Sequence, residues 1–192
     1  ATRWWVYKEH FIPTCKKLVS EGKIGAWGIT GIGVPECLLS ALTLDDKPAA
    51  VQCISNLIDS PGDLQYFPGP SRAREIIAKT KSIGAGVLGI RPVQGGALTD
   101  AIDRDLPSGH GVVTDYAKTA NYRALAKELG TTPAALAHRY ALAMNGVDTV
   151  VLGCKNTAEL KECVIAEAKG PLEPDIIARI DAAVLRNELL PH

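Results

Sequence analysis

The chain has 192 residues, enough for one domain with a real core, and Lys plus Arg balance Asp plus Glu at 21 each. The resulting formal net charge of zero argues against a nucleic-acid or anionic-membrane partner, because both favour a basic excess. No apolar run reaches the roughly 18 residues of a membrane span, and Ala1 to His10 lacks the basic, apolar and small-residue regions of a signal peptide, so neither is expected.

A first helix is predicted over Pro13–Ser20, stopped at Glu21-Gly22, since glycine often follows a helix end. Four short apolar runs read as buried parallel strands: Lys23–Thr30, Ala49–Ile54, Gly86–Ile90 and Asp148–Leu152. Between the first two lies a helix over Pro35–Leu42, with proline in its first turn. The next helix spans Ser71–Lys81, with Ser71 as a cap-type residue. After the third strand come a helix over Asp115–Leu129 and another from Thr132-Pro133 to Ala143, with Thr132 as N-cap. Asn156 or Thr157 caps a helix to about Ala168, closed by Gly170-Pro171, and a last helix runs from Pro174 to about Arg186. This alternation implies α/β architecture with helical crossovers over a single domain, residues 1–192.

Two connections are long and rich in Pro and Gly: Asp59–Pro70 and Arg91–Thr114. Both follow strands, at the end of an α/β sheet where ligands bind, and read as functional loops. After the fourth strand, Gly153-Cys154-Lys155-Asn156-Thr157 leads straight into a helix. A glycine that lets the backbone approach, free N–H groups at a helix start and one lysine make an anion-binding arrangement; a capped helix with a solvated lysine is the plainer alternative. The Gly28–Gly33 stretch is not a dinucleotide fingerprint, because Glu36 stands where its third glycine belongs; Gly31 and Gly33 read as a tight turn. The five cysteines are odd in number and widely spaced, so a disulfide framework or zinc ribbon is not expected, nor any metal site. Cys53 and Cys163 read as core thiols, and Cys154 is the one ahead of a helix N-terminus. His138 reads as structural, whereas His110 lies in the long loop where it could face a substrate.

Several segments together resemble the aldo/keto reductase family. Glu21-Gly22-Lys23-Ile24 to Gly28-Ile29-Thr30 is similar to the segment leading into barrel strand five, and Val51-Gln52 to strand six. Gly86 to Leu98 resembles strand seven with its loop, and Leu129 to Ala137 resembles the L-G-x-T-P-A-x-L-A helix start. Gly146 to Gly153 is similar to strand eight, and Asn156 to Glu162 to the cofactor-binding N-x-x-x-L-x-E behind it. The resemblance implies a (β/α)8 TIM barrel of which this chain supplies roughly strands five to eight; a complete barrel needs about 250 residues.

Position by position, the resemblance implies that Thr30, Gly31 and Gln52 hold a nicotinamide carboxamide, with Gly31 lacking the side chain usual there. Ile90 or Arg91 stands where an aromatic ring commonly stacks on the nicotinamide. Gly153, Cys154, Lys155, Asn156 and Thr157 would hold the adenosine phosphates, and Glu162 would contact the adenine, with Cys163 replacing the usual neighbouring asparagine. Lys155 favours NADP(H) over NAD(H), although Glu159 would repel a 2′-phosphate that it faced. The family's catalytic tyrosine, lysine, aspartate and histidine all precede strand five, so no catalytic residue is assigned here. His10 sits in a helical context, and Tyr7, Tyr66, Tyr116 and Tyr122 match no catalytic pattern.

The implied activity is NAD(P)H-dependent interconversion of a small-molecule carbonyl and its alcohol, in the cytoplasm. The alternative is a truncated or catalytically silent relative that binds nucleotide or a partner without turnover; a barrel acting on a phosphorylated substrate would use the same glycines. Open sheet edges imply a partner, either the N-terminal half of the barrel or a second copy.

Overall fold

The computed structural model describes residues 4–184. Its N-terminal helix is built in three parts: α1 (Trp4–Val6), a π-helical turn at Tyr7–Phe11, and α2 (Ile12–Ser20). Pro13 explains the middle part, because it cannot donate to the helical ladder. The chain adapts by one wide turn, in which the Ile12 N–H reaches the Tyr7 carbonyl five residues back.

Four strands follow: β1 (Gly28–Gly31), β2 (Ala50–Ile54), β3 (Gly86–Ile90) and β4 (Thr149–Val150), all parallel and neighbouring in chain order. A doubly wound sheet reverses its strand order at a switch point. This one does not, and it winds one way as a barrel wall does. The helices are α3 (Pro35–Ala41), α4 (Ala73–Ser82), α5 (Gly111–Lys118), α6 (Ala120–Glu128), α7 (Pro133–Ala143), α8 (Thr157–Ala168) and α9 (Pro174–Ala183).

The strand alternation separates two faces. Val51, Cys53 and Val87 point into the helical layer, where Leu57, Ile76, Ile77, Leu98, Tyr122 and Leu136 complete a core that is almost fully buried. Truncating one of these large side chains to alanine costs about 2–5 kcal/mol. Thr30, Gln52, Leu88 and Ile90 project to the other face, where Gln52, Leu88 and Ile90 are half-buried and Thr30 is exposed. No described helix is long and apolar enough to cross a membrane.

The structure corrects several expected boundaries. The first strand begins at Gly28 rather than Lys23. Gly22, at φ +67°, ends α2 with its N–H on the Val19 carbonyl, and the Lys23 N–H returns to Leu18 at 3.0 Å, so this stretch closes the helix instead of pairing. Gly31 belongs to β1 rather than to a turn. Helix α4 starts at Ala73, and Ser71 is not its cap: Arg72 occupies that position in the left-handed region, while the Ser71 hydroxyl donates to the Asp59 carbonyl at 2.7 Å. The expected helix over Asp115–Leu129 begins earlier, at Gly111, and breaks at Thr119. There the Thr119 hydroxyl bonds back to the carbonyls of Asp115 and Tyr116 at 3.2 and 3.0 Å, which bends a helix. The fourth strand is two residues long and half on the surface, with Val151 and Leu152 exposed. Helix α9 is described to Ala183, and Arg186 lies outside the described residues.

Candidate functional site

Thr30, Gly31, Ile90 and Arg91 lie at or beyond the C-terminal ends of their strands and Gly153 to Thr157 follow β4, whereas Gln52 is the middle residue of β2 and Glu162 lies within α8. Thr30 and Gln52 are register partners on β1 and β2, and the Thr30 hydroxyl donates to Gln52 Oε1 at 3.2 Å. That bond leaves the Gln52 amide nitrogen as a donor and the threonine oxygen as an acceptor beside the half-exposed sheet face. Gly31 alternates to the helical side: a Cβ there would stand 2.8 Å from the Gln52 carbonyl oxygen and 3.0 Å from Val51. It offers backbone only. Ile90 ends β3 half-buried, opposite Ile54. Arg91 takes a left-handed conformation at φ +62°, and its guanidinium turns to Gln94 Oε1 at 3.0 Å and pairs with Asp63.

The loops after β2 and β3 are locked together underneath. Fully buried Asn56 donates to the Ser60 and Arg91 carbonyls at 2.9 and 3.2 Å and accepts from the Ile58 and Ser60 N–H groups. Ser60 Oγ and Gln94 Nε2 both donate to Asp115 Oδ2, at 2.6 and 2.8 Å, so one buried carboxylate on α5 holds both loops. Sequence reasoning missed this cluster, since Asn, Ser, Gln and Asp among Gly and Pro read as solvated turn residues. Buried polar groups with their partners supplied make a rigid support.

Beside it lies a cleft of about 460 Å³ between the loop after β3, the start of α7, and the loop after β4. Gly153, Cys154, Lys155 and Glu162 line it, together with Gly95, Gly96, Asp103 and Arg104 from the long loop. Asn156 does not line it: its Oδ1 caps α8 by accepting the Glu159 N–H at 3.0 Å, and the Glu159 carboxylate accepts the Lys155 N–H at 2.8 Å. Thr157 is the first residue of α8 and is exposed. The Lys155 ammonium pairs across the cleft with Asp103 and lies 3.3 Å from Glu159; Asp103 first, then Glu159, holds it above the usual lysine range. Glu162 accepts from the Thr132 hydroxyl, which also takes the Ala135 N–H at 3.1 Å to cap α7.

A second opening, of about 510 Å³, lies beside β1 between Trp4, Tyr7, Phe11, Ile29 and Leu38, and Thr30 reaches its wall. Exposed apolar side chains mark both sheet edges: Trp4, Trp5 and Phe11 near β1, and Val151, Leu152 and Leu160 near β4. His110 is half-buried, and its Nδ1 accepts the Val112 N–H at 3.3 Å and caps α5. Tyr122 is fully buried, donates to the Pro133 carbonyl, and is pushed well above its ordinary range by that burial. Tyr116 donates to the Asp100 carbonyl, and His10 packs edge-on against Trp5.

A one-way parallel wall with long loops at its C-terminal end is consistent with part of a (β/α)8 barrel, and comparison with known proteins identifies the family. The chain belongs to the aldo/keto reductase family, whose model matches residues 3–185. It is 28% identical over 157 residues to L-galactose dehydrogenase of Arabidopsis thaliana, covering 81% of this chain and 46% of that protein. It superposes on the holo and apo forms of the aldo-keto reductase AKR11C1 from Bacillus halodurans with TM-scores of 0.66 and 0.67, at 24% identity. Those alignments cover 91% of this chain and 55% and 56% of the solved chains, so the chain spans about half the length of these relatives.

Proposed function

We propose that this chain supplies strands five to eight of a (β/α)8 barrel and the nicotinamide-nucleotide platform of a reductase that interconverts a carbonyl and an alcohol. The observation that carries this is the Thr30–Gln52 pair, 3.2 Å apart on the half-exposed sheet face, at the same end of the strands as the cleft beneath Lys155. A nicotinamide carboxamide needs one donor and one acceptor, and this pair presents both. The nucleotide, when bound, supplies or takes the hydride. The chain's residues orient it: Thr30 and Gln52 hold the carboxamide, Ile90 covers the ring, and Gly153, Lys155 and the α8 N-terminus face the phosphates. The proton donor is assigned to the preceding half of the barrel, because the family's tyrosine precedes strand five; Tyr116, Tyr122, His110 and His138 are each held by other groups here, and Tyr7 and His10 match no catalytic pattern.

The half-exposed face and the apolar side chains at both edges support a partner, either that N-terminal half or a second copy. Residues 1–192 form one domain in this reading, with small-molecule ligands and no nucleic acid or membrane, as the zero formal net charge favours. Five free cysteines fit a reducing, cytoplasmic setting. NADP(H) is the favoured form, because Lys155 and Arg104 line one cleft and an exposed ion pair such as Lys155–Asp103, screened by solvent, yields readily to a phosphate. Asp103 and Glu159 keep the preference small.

Fluorescence titration with NADPH and NADH tests the reading, followed by NADPH oxidation with an aldehyde. Saturable binding weakened by Lys155→Ala, more for NADPH than for NADH, is expected. A chain that binds neither nucleotide refutes the platform. Binding without turnover in the barrel completed by its other half favours the silent-relative alternative.

A further inference from the structure

We propose that Cys154 and Cys163 are a peroxide-responsive dithiol whose closure to a disulfide shuts the nucleotide cleft. The proposal rests on the reading of that cleft as a nucleotide site. Both cysteines line it, Cys154 exposed on the loop after β4 and Cys163 buried on α8. Cys163 Sγ lies 3.1 Å from His138 Nε2, and the other ring nitrogen of His138 is buried without a hydrogen-bond partner. Burial pushes the His138 imidazole below its ordinary value and so keeps it neutral, with Nε2 at hydrogen-bond distance from the Cys163 sulfur. Burial, and then the neighbouring Cys154 thiol, push the Cys163 thiol up to about 11, so it stays protonated until a base removes the proton.

The two thiols therefore have different parts. Exposed Cys154 meets the oxidant: its sulfur attacks hydrogen peroxide, an S–O bond forms, the O–O bond breaks, and one water leaves with a sulfenic acid left behind. The Cys163 sulfur then attacks Cys154, the S–S bond forms and the S–O bond breaks. The Cys163 proton passes to His138 Nε2 and on to the departing hydroxide, which leaves as a second water. In sum, two thiols and one peroxide give one disulfide and two waters. A thiol reductant reverses the step by exchange. The bond draws residue 154 onto α8, and Lys155, whose N–H is held by Glu159 and whose ammonium is held by Asp103, moves with it. The phosphate side of the cleft narrows.

The test treats the reduced protein with hydrogen peroxide, alkylates the remaining thiols, maps tryptic peptides by mass spectrometry, and measures NADPH affinity before and after. A Cys154–Cys163 linked peptide is expected, absent in Cys154→Ser. NADPH affinity should fall about ten-fold or more, the size of ordinary coupling between sites, and return with dithiothreitol. Cross-links from Cys154 to Cys37, or a Cys154 that runs on to sulfinic acid while Cys163 stays alkylatable on unfolding, overturn the dithiol. A linked peptide with unchanged affinity overturns the gate. If reduced protein binds no NADPH, the nucleotide reading and the gate fall together, while the peptide map still decides the dithiol.

Discussion

Gly111 is where the loop after β2 and the start of α5 touch backbone to backbone. A Cβ on Gly111 would stand 2.5 Å from the Gly62 carbonyl carbon, 2.7 Å from the Asp63 nitrogen and 2.9 Å from the Gly62 oxygen. Carbon contacts are comfortable at about 3.5–4.0 Å, so Gly111→Ala forces a separation of the order of 1 Å. The atoms in the way are backbone, and the Arg91–Asp63 pair ties the same segment to the loop after β3, so no side chain can swing aside. Overpacking of this kind costs about 1–3 kcal/mol. Against it stands the lower entropy of the unfolded alanine chain, a gain of about 0.4–1 kcal/mol. The clash wins, leaving a net loss of about 1–2 kcal/mol. For a chain of this size that lowers the melting temperature by roughly 2–8 °C. Gly109→Ala, two residues away, is the control: Gly109 has nothing within 4 Å of its added Cβ and no left-handed φ. It is expected to be neutral or to gain about 0.4–1 kcal/mol. Thermal and urea unfolding of the two variants beside the parent chain make the measurement. Equal midpoints for the two would refute the packing argument.

Three further predictions follow from other contacts. Thr30→Val and Gln52→Leu each remove one partner of a single hydrogen bond, so each should weaken nicotinamide nucleotide binding about 3–10-fold. The double variant should fall short of the product, and strictly additive losses in a titration would show that the pair does not act as a unit. In the reduced native chain, Ellman's reagent should react fast with exposed Cys37 and Cys154 and slowly with buried Cys15, Cys53 and Cys163. Burial pushes the Cys53 thiol up to about 11, so fast reaction there would contradict its position in the core. Asp148 bonds Lys81 at 2.7 Å and accepts the Val87 N–H at 2.7 Å, and the lysine first, then that N–H, holds its carboxyl below the ordinary 3.8. Its contribution is therefore fully present above that value and is lost as pH falls through the lowered one. Asp148→Asn should lower the urea midpoint at pH 7, with the gap closing in strongly acid solution; a gap independent of pH would refute the linkage.

Much of this protein was legible locally. Periodicity and punctuation located the cores of the four described strands, Thr132 and Asn156 proved to be caps as their residue types require, and the family resemblance read over about residues 18–165 is matched by the family model over residues 3–185. These features depend on neighbours a few residues away, and backbone chemistry over that range is written in the order of side chains. Other features depend on groups far apart in the chain. Thr119 breaks a helix partly by bonding Ala97, Asp115 gathers Ser60 and Gln94, and Asp103 meets Lys155. A turn-rich loop looks the same in sequence whether its Asn and Ser face water or one another, because burial is decided by what folds over them. The sequence alone determined that four strands alternate with helices in a parallel wall, though not where the first and last strands begin and end. Only the tertiary structure decided that Gly31 turns away from the half-exposed face, that Lys155 is held between two carboxylates, and that Cys163 lies beside an imidazole at the edge of the cleft.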